Sequence, residues 1–256
     1  MLKKKFNQKK NLKLLFDRLK IKKNDCILFH SNIAGIYQFK KKVEKKILKT
    51  FLQFILNRIG SSGTVLFPTY NYDFTKGKVF NSKNSNSQVG EFSNYLLKTY
   101  QINRTAEPIF SHLVFGKLKS NIFNSKIYDA FGNQSVFSIV EKKNFKIVCF
   151  CCSPENMTFL HYIEQKLSVK YRYNKYFSGH IINKKKKKKL LLKYFVGKKN
   201  IDYKIKEEKL LNLTDKKNFI ATPYRRFNCY SVKAQYLLKI LKPKIKKNNN
   251  YLITKN

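Results

Sequence analysis

Two apolar runs joined by a segment of helical periodicity constrain this chain more than any other feature. Asp25-Cys26-Ile27-Leu28-Phe29-His30 reads as a strand, and a helix is expected from about Lys42 to Ile59. Gly60-Ser61-Ser62-Gly63 stops that helix, and Thr64-Val65-Leu66-Phe67-Pro68-Thr69-Tyr70 reads as a second strand closed by a proline. Strand, helix, strand is the rhythm of an α/β sheet. Further strands are expected through Val114-Phe115-Gly116, over Lys146 to Cys152 and over Leu190 to Val196, with an amphipathic helix over 8–21 and another helix restarting near Gly90-Glu91. The polar stretch from Asn71 to Gln88 is long for a compact domain, and loops of that length are functional or mobile. Lys184 to Lys189 reads as a solvated hairpin tip or loop, and the lysine- and asparagine-rich tail from Lys244 as frayed. There are no internal repeats, no Gly-rich phosphate motif and no nucleophile elbow.

At 256 residues and 43% apolar composition the chain can bury a full core, and a single domain over 1–256 is expected. Its net charge of +41 first suggests nucleic acid. Against that, only Arg18, Arg58, Arg104, Arg172, Arg225 and Arg226 are arginines, and base-edge readout leans on the planar arginine fork. Abundant Lys, Asn, Ile, Phe and Tyr beside scarce Ala, Gly, Pro and Arg follow AT-rich codons, so much of the charge is compositional. It still draws in anionic ligands and repels polycations. The basic start, Met1-Leu2-Lys3-Lys4-Lys5, has no apolar run behind it, and no run approaches the roughly 18 to 20 residues of a membrane span, which points to the cytoplasm. The five cysteines (Cys26, Cys149, Cys151, Cys152, Cys229) lack a second Cys-x-x-Cys pair, so no metal site is expected.

Chemistry concentrates after the strand at 146–152. Across the turn Ser153-Pro154-Glu155-Asn156 lies Thr158-Phe159-Leu160-His161-Tyr162-Ile163-Glu164-Gln165. On a helix, His161 and Glu164 share a face three residues apart, above an apolar stripe of Leu160, Ile163 and Leu167. A carboxylate fixes an imidazole's tautomer and keeps it basic, as a general base requires. An ordinary surface or core pair has the same spacing. The turn Ser31-Asn32-Ile33-Ala34-Gly35, after a buried strand, could offer backbone N–H groups to an anion or simply connect strand to helix.

Six stretches, in order, resemble the aminoglycoside 3-N-acetyltransferase family. They are Leu28-Phe29-His30-Ser31-Asn32 through Gly35, Gly63 to Tyr70, Ser87-Gln88-Val89-Gly90, Arg104-Thr105-Ala106-Glu107-Pro108-Ile109-Phe110-Ser111, Phe131-Gly132-Asn133-Gln134-Ser135 and Thr158 to Glu164. They span about 24–180; the portion 183–256 is less certain. The resemblance implies a three-layer α/β/α fold with a mixed central sheet, acetyl-CoA as co-substrate and direct acyl transfer to an amine. It makes His161 the base and Glu164 its orienting partner in a Leu-His-x-x-Glu motif, with Ser111 or a backbone N–H holding the oxyanion. It places His30, Ser31, Asn32, Ile33, Ala34, Gly35 and Thr69 near the coenzyme. Some antibiotic-modifying members read His-Pro-x-His-Ser where this chain has Glu107 to Ser111, so a histidine becomes Phe110, with His112 two places on. The version here, followed by Tyr171-Arg172-Tyr173-Asn174-Lys175-Tyr176-Phe177-Ser178-Gly179, is similar to members linked to surface-polysaccharide biosynthesis.

Charge bears on the acceptor. Glu91, Glu107, Asp129, Glu141, Glu155 and Glu164 are the only acids between 74 and 180, too few for an acidic cleft that would attract a polycationic drug. A nucleotide-linked amino sugar, anionic like the coenzyme, stands first and antibiotic acetylation second. Outside enzymology the rival is a basic nucleic-acid-binding protein using Tyr171, Arg172, Tyr173 and Lys175.

Overall fold

The structure is a computed structural model that describes residues 8–37, 45–183 and 186–255. Helix α1 (Gln8–Arg18) buries Leu12, Leu15 and Phe16 at helical spacing and ends where Lys20 turns left-handed and the Ile21 N–H reaches back to the Phe16 carbonyl. Strand β1 (Cys26–Ser31) leads through a short turn into α2 (Ala34–Tyr37). The start expected at Lys42 lies outside the described residues; from Lys45 the helix runs as α3 (Lys45–Ile59). Its buried face of Ile47, Leu48, Phe51, Leu52, Ile55 and Ile59 stabilises on the order of 10 kcal/mol by burial. Gly60, at φ 67°, closes it.

Strands β2 (Thr64–Pro68), β3 (Phe80–Asn81), β4 (His112–Gly116) and β5 (Lys146–Phe150) alternate with α4 (Glu91–Tyr100), α5 (Lys119–Phe123) and α6 (Val136–Lys142). Then come α7 (Phe159–Lys166), a long hairpin of β6 (Arg172–Asn183) and β7 (Lys186–Gly197), β8 (Tyr203–Ile205), α8 (Glu207–Leu211), β9 (Phe219–Tyr224), β10 (Phe227–Lys233), α9 (Ala234–Lys247) and β11 (Ile253–Lys255).

The main sheet runs β4-β2-β1-β5-β10-β9, with β2, β1 and β5 parallel and the outer pairings antiparallel. It is therefore mixed, as expected. Period-two alternation sends Ile27, Phe29, Val65, Phe67, Val148 and Phe150 to one face, against α1, α3 and α4. Leu28, Leu66, Ile147, Cys149 and Val232 go to the other, against α6, α7 and α9. This gives the three layers.

One expectation is sharpened and one needs correction. Lys186 to Lys189 are solvated and stand at the tip end of a hairpin, where they form the exposed start of β7, paired with β6 up to Asn183↔Lys186; Lys184 and Lys185 lie outside the described residues. The tail is not frayed at Lys244. Helix α9 continues to Lys247 because Ile245 is buried, and beyond it Leu252 is buried and β11 pairs with β8. Of the two readings of the 71–88 stretch, functional or mobile, its packing does not favour the mobile one. Asn71 Nδ2 donates to the Asn86 carbonyl (2.9 Å), the Gln88 N–H to the Tyr70 carbonyl (2.8 Å), and β3 inside it pairs with β6.

Candidate active site

The parallel strands β1, β2 and β5 end at the same edge of the sheet, where open α/β sheets present ligand crevices. A cleft of about 410 Å³ opens there. Its walls are His30 and Ser31 from β1, Pro68 at the end of β2 and Tyr70 beyond it, Tyr72, the start of α4 with Gly90 and Ser93, Cys152, Glu155, Asn156 and Thr158 from the β5–α7 connection, and His161 of α7.

His161 stands on this wall in the first turn of α7, and its Nδ1 lies 2.7 Å from Oε2 of Glu164. Glu164 is fully buried. The Tyr171 hydroxyl donates to its Oε1 at 2.7 Å, and Arg172 Nε lies 2.8 Å from its Oε2. Burial alone would push this carboxyl up, but the electrostatic attraction and hydrogen bond of the His161 ring, then Arg172 and Tyr171, outweigh it and hold Glu164 below the usual carboxylate range. Glu164 is thus an anion at neutral pH. Arg172 and Tyr171 reach it because Ser168 turns left-handed at φ 52°, the Val169 N–H caps the helix on the Glu164 carbonyl (3.1 Å), and the chain doubles back under α7.

The remaining sequence candidates divide. His30 and Ser31 reach the cleft. The N–H groups of Asn32, Ala34 and Gly35 are used within the chain, on the Phe150 carbonyl, the Asn32 side chain and the Asn32 carbonyl. Asn32, Ile33, Ala34 and Gly35 are not among the residues lining the cleft, so the turn is a β-to-α connection and not an open anion nest. Ser111 and Thr69 are fully buried and also absent from the lining. The Ser111 hydroxyl donates to the Thr69 carbonyl (2.9 Å) and accepts from Arg104 Nε (3.0 Å), while Thr69 Oγ1 donates to the Ser111 carbonyl (3.0 Å). The expected oxyanion role of Ser111 is corrected accordingly: its hydroxyl belongs to a buried network. Arg104 holds that network together, donating also to the carbonyls of Thr69 and Ser85.

His112 does not replace the missing histidine at Phe110. It is fully buried, with Nε2 3.2 Å from the Tyr70 hydroxyl. Burial, then the proximity of His30, pushes it down to about 3, and burial pushes His30 down to about 4, so both rings are neutral. Tyr70 in turn shares a hydrogen bond with the Thr158 hydroxyl on the cleft wall. Sequence reasoning missed Thr158, Tyr70 and Tyr72 as site residues; Thr158, three residues before His161, was the one with a readable signal. Tyr171 and Arg172 also depart from the nucleic-acid reading, since both turn inward onto Glu164 and Tyr171 is buried. Among the described residues no group of His, Cys, Asp or Glu could hold a metal ion, and no helix is long and apolar enough to cross a membrane.

Residues 28–242 match the family model described as aminoglycoside 3-N-acetyltransferase. A comparison with curated protein sequences finds no match. Among solved structures, the fold is shared with the YokD protein from Bacillus subtilis (15% identity, 94% of each chain, TM-score 0.76). It is shared too with AAC-IIIb in binary complex with CoASH (13% identity, 94% of this chain and 97% of that one, TM-score 0.77). Aminoglycoside acetyltransferase AAC(3)-IVa, as apoenzyme, gives 14% identity over 98% of this chain and 93% of that one, with a TM-score of 0.73.

Proposed function

We propose that this chain, which belongs to the aminoglycoside 3-N-acetyltransferase family, acetylates the amine of a nucleotide-linked amino sugar, with His161 as general base and Glu164 as its orienting anion. Family membership makes the chain an acetyl-CoA-dependent N-acetyltransferase and sets aside a non-catalytic nucleic-acid protein. We also take 1–256 as one acetyltransferase domain, because β9 and β10 complete the same sheet as the family-like core.

The cleft suits an anionic thioester ligand. Nε2 of His30, in its wall, is buried without a partner among the described residues, and the first turn of α4 brings a helix N-terminus with no side-chain cap. Acetyl-CoA supplies the activated acyl group; as the amine nitrogen bonds to the acyl carbon the thioester C–S bond breaks and CoA leaves as the thiolate. Within the chain, Glu164 holds the Nδ1 proton of His161, which leaves Nε2 free to take the proton that the acceptor amine loses. The Thr158 hydroxyl, positioned by Tyr70, is the cleft's candidate donor toward negative charge developing on the acyl oxygen. No side chain needs to carry the acyl group.

One observation carries the choice of acceptor: among the described residues, Glu155 is the only carboxylate lining the cleft. Of the other acids nearby, Glu164 is spoken for by His161 and Arg172, Asp129 by Lys193, and Glu141 by Lys166. A polycation finds one counter-charge there, on a protein of net charge +41. Favouring the second reading, aminoglycoside acetylation, are the family description and AAC(3)-IVa structures in complex with apramycin and with a gentamicin.

Thiol release from acetyl-CoA, measured across nucleotide-linked amino sugars and kanamycin-type aminoglycosides, separates the two. We expect the nucleotide-linked acceptor to have the higher kcat/KM; the reverse order would overturn the assignment. In the same assay His161→Ala should lower kcat by about 10²–10⁴-fold, and near-normal turnover would remove His161 from the role of base.

A further inference from the structure

A buried carboxylate set between an imidazole and a guanidinium poses a question of charge balance. Oε2 of Glu164 faces both Nδ1 of His161 and Nε of Arg172, and Nη2 of Arg172 lies 3.0 Å from that same Nδ1. A guanidinium has donors only, so it cannot accept the imidazole's proton. If Nδ1 were instead the acceptor from Arg172, its lone pair would face a carboxylate oxygen at 2.7 Å. Nδ1 therefore carries the proton and points it at Glu164.

We propose that Arg172 is a positioning residue that neutralises Glu164 from the far side and so keeps His161 an uncharged imidazole with Nε2 open to the cleft. With His161 neutral, Arg172 and Glu164 cancel; with His161 charged, the cluster holds a net positive charge beside a buried ion pair. Without Arg172 the balance reverses, since Glu164 would then require the imidazolium as counter-ion and the base would be occupied by a proton. Arg172 is fixed for this task at the start of β6, where Nη1 donates to the Phe195 carbonyl of β7 (3.1 Å) and the guanidinium lies 5.9 Å from the Tyr203 ring centroid.

The other groups around His161 do not take over this balance. From the segment before α6 it meets the Phe131 ring, edge-on at 5.9 Å. Asp129 of that segment is paired with Lys193 of β7 and with Gln165. Across the cleft stand neutral His30, the tyrosines Tyr70 and Tyr72, Cys152, and Glu155 on the β5–α7 connection.

The proposal rests on His161 being the base, and the test separates the two claims. In Arg172→Gln the acid limb of the kcat/KM profile should move to higher pH by about 1 unit or more, with KM for acetyl-CoA changed less than about twofold. Arg172→Lys keeps the charge and loses the fork, so kcat should fall while the limb stays put. The ring nitrogens of His161, followed by NMR against pH and assigned with His161→Ala, give a readout that needs no turnover. The imidazolium signal should persist to higher pH in Arg172→Gln. A limb and an NMR transition that stay in place in Arg172→Gln would overturn the proposal. If that variant does not fold, a limb in Arg172→Lys displaced by a full unit would overturn it as well. If His161→Ala keeps its activity while the NMR transition still moves, the base assignment fails and the hold of Arg172 on the imidazole stands.

Discussion

Glu107 sits where the chain turns into β4, buried, with its carboxyl accepting the N–H of Ile109 (3.2 Å) and of Phe110. Burial raises it from an ordinary 4.5 to about 8, against the downward pull of those two N–H groups and of Arg104. Between those two values the folded protein keeps a proton that the unfolded chain has released, so stability falls as pH rises toward 8. From pH 5.5 to pH 8 this one group removes about 3 kcal/mol. The loss falls on the turn that seats Phe110, whose ring packs on Tyr70 at 5.0 Å and Phe131 at 4.8 Å, two residues that touch the active site. Glu107→Gln keeps an acceptor oxygen for the turn and cannot titrate. Urea unfolding of both proteins at pH 5.5 and pH 8 isolates the effect, because every other group titrates alike in the two. The wild type should lose about 3 kcal/mol more than the variant between the two pH values. Parallel pH dependences would refute the buried, protonated carboxyl.

Two further outcomes follow from geometry. Gly116 ends β4 at φ 113°, and a Cβ there would lie 2.1 Å from the Gly63 carbonyl oxygen, so Gly116→Ala should cost about 2–4 kcal/mol by chemical denaturation, and an unchanged midpoint would contradict the close approach. Thr158→Val keeps the shape of the cleft wall and deletes its hydroxyl. It should lower kcat by about 10²-fold with little change in KM for acetyl-CoA, and full turnover would remove Thr158 as a donor.

The centre of the sheet was legible because β1, β2 and β5 are buried on both faces and so read as unbroken apolar runs. The hairpin was less so. Near its tip the β7 strand is solvated, so Lys186 to Lys189 carry no apolar alternation to mark them as strand, although Ile181 opposite them on β6 is buried. Helix α9 hides its core contacts, Leu237, Leu241 and Ile245, among lysines that suggest a tail. His161 and Glu164 could be paired from their spacing alone, since three residues on a helix fix the distance. Arg172 and Tyr171 could not, because their approach depends on the left-handed turn at Ser168, and a serine there announces nothing. Ser111 misled because a hydroxyl in a motif does not say which way it faces, and here Arg104 and the Thr69 carbonyl claim it.

Strand β5, which delivers the chain into the turn before α7, becomes an interior strand only when β10 pairs along its outer edge. On a ribosome that partner arrives late. The segment from Phe150 to Phe227 has to be synthesised in between, which at about 5–20 residues per second takes roughly 4–15 s. For that time the nascent chain carries an apolar strand with one unpaired edge, the kind of surface on which chains pair with one another. The lysines of β7 emerge within that interval, so the edge is exposed on a chain whose like charges oppose pairing with its neighbours.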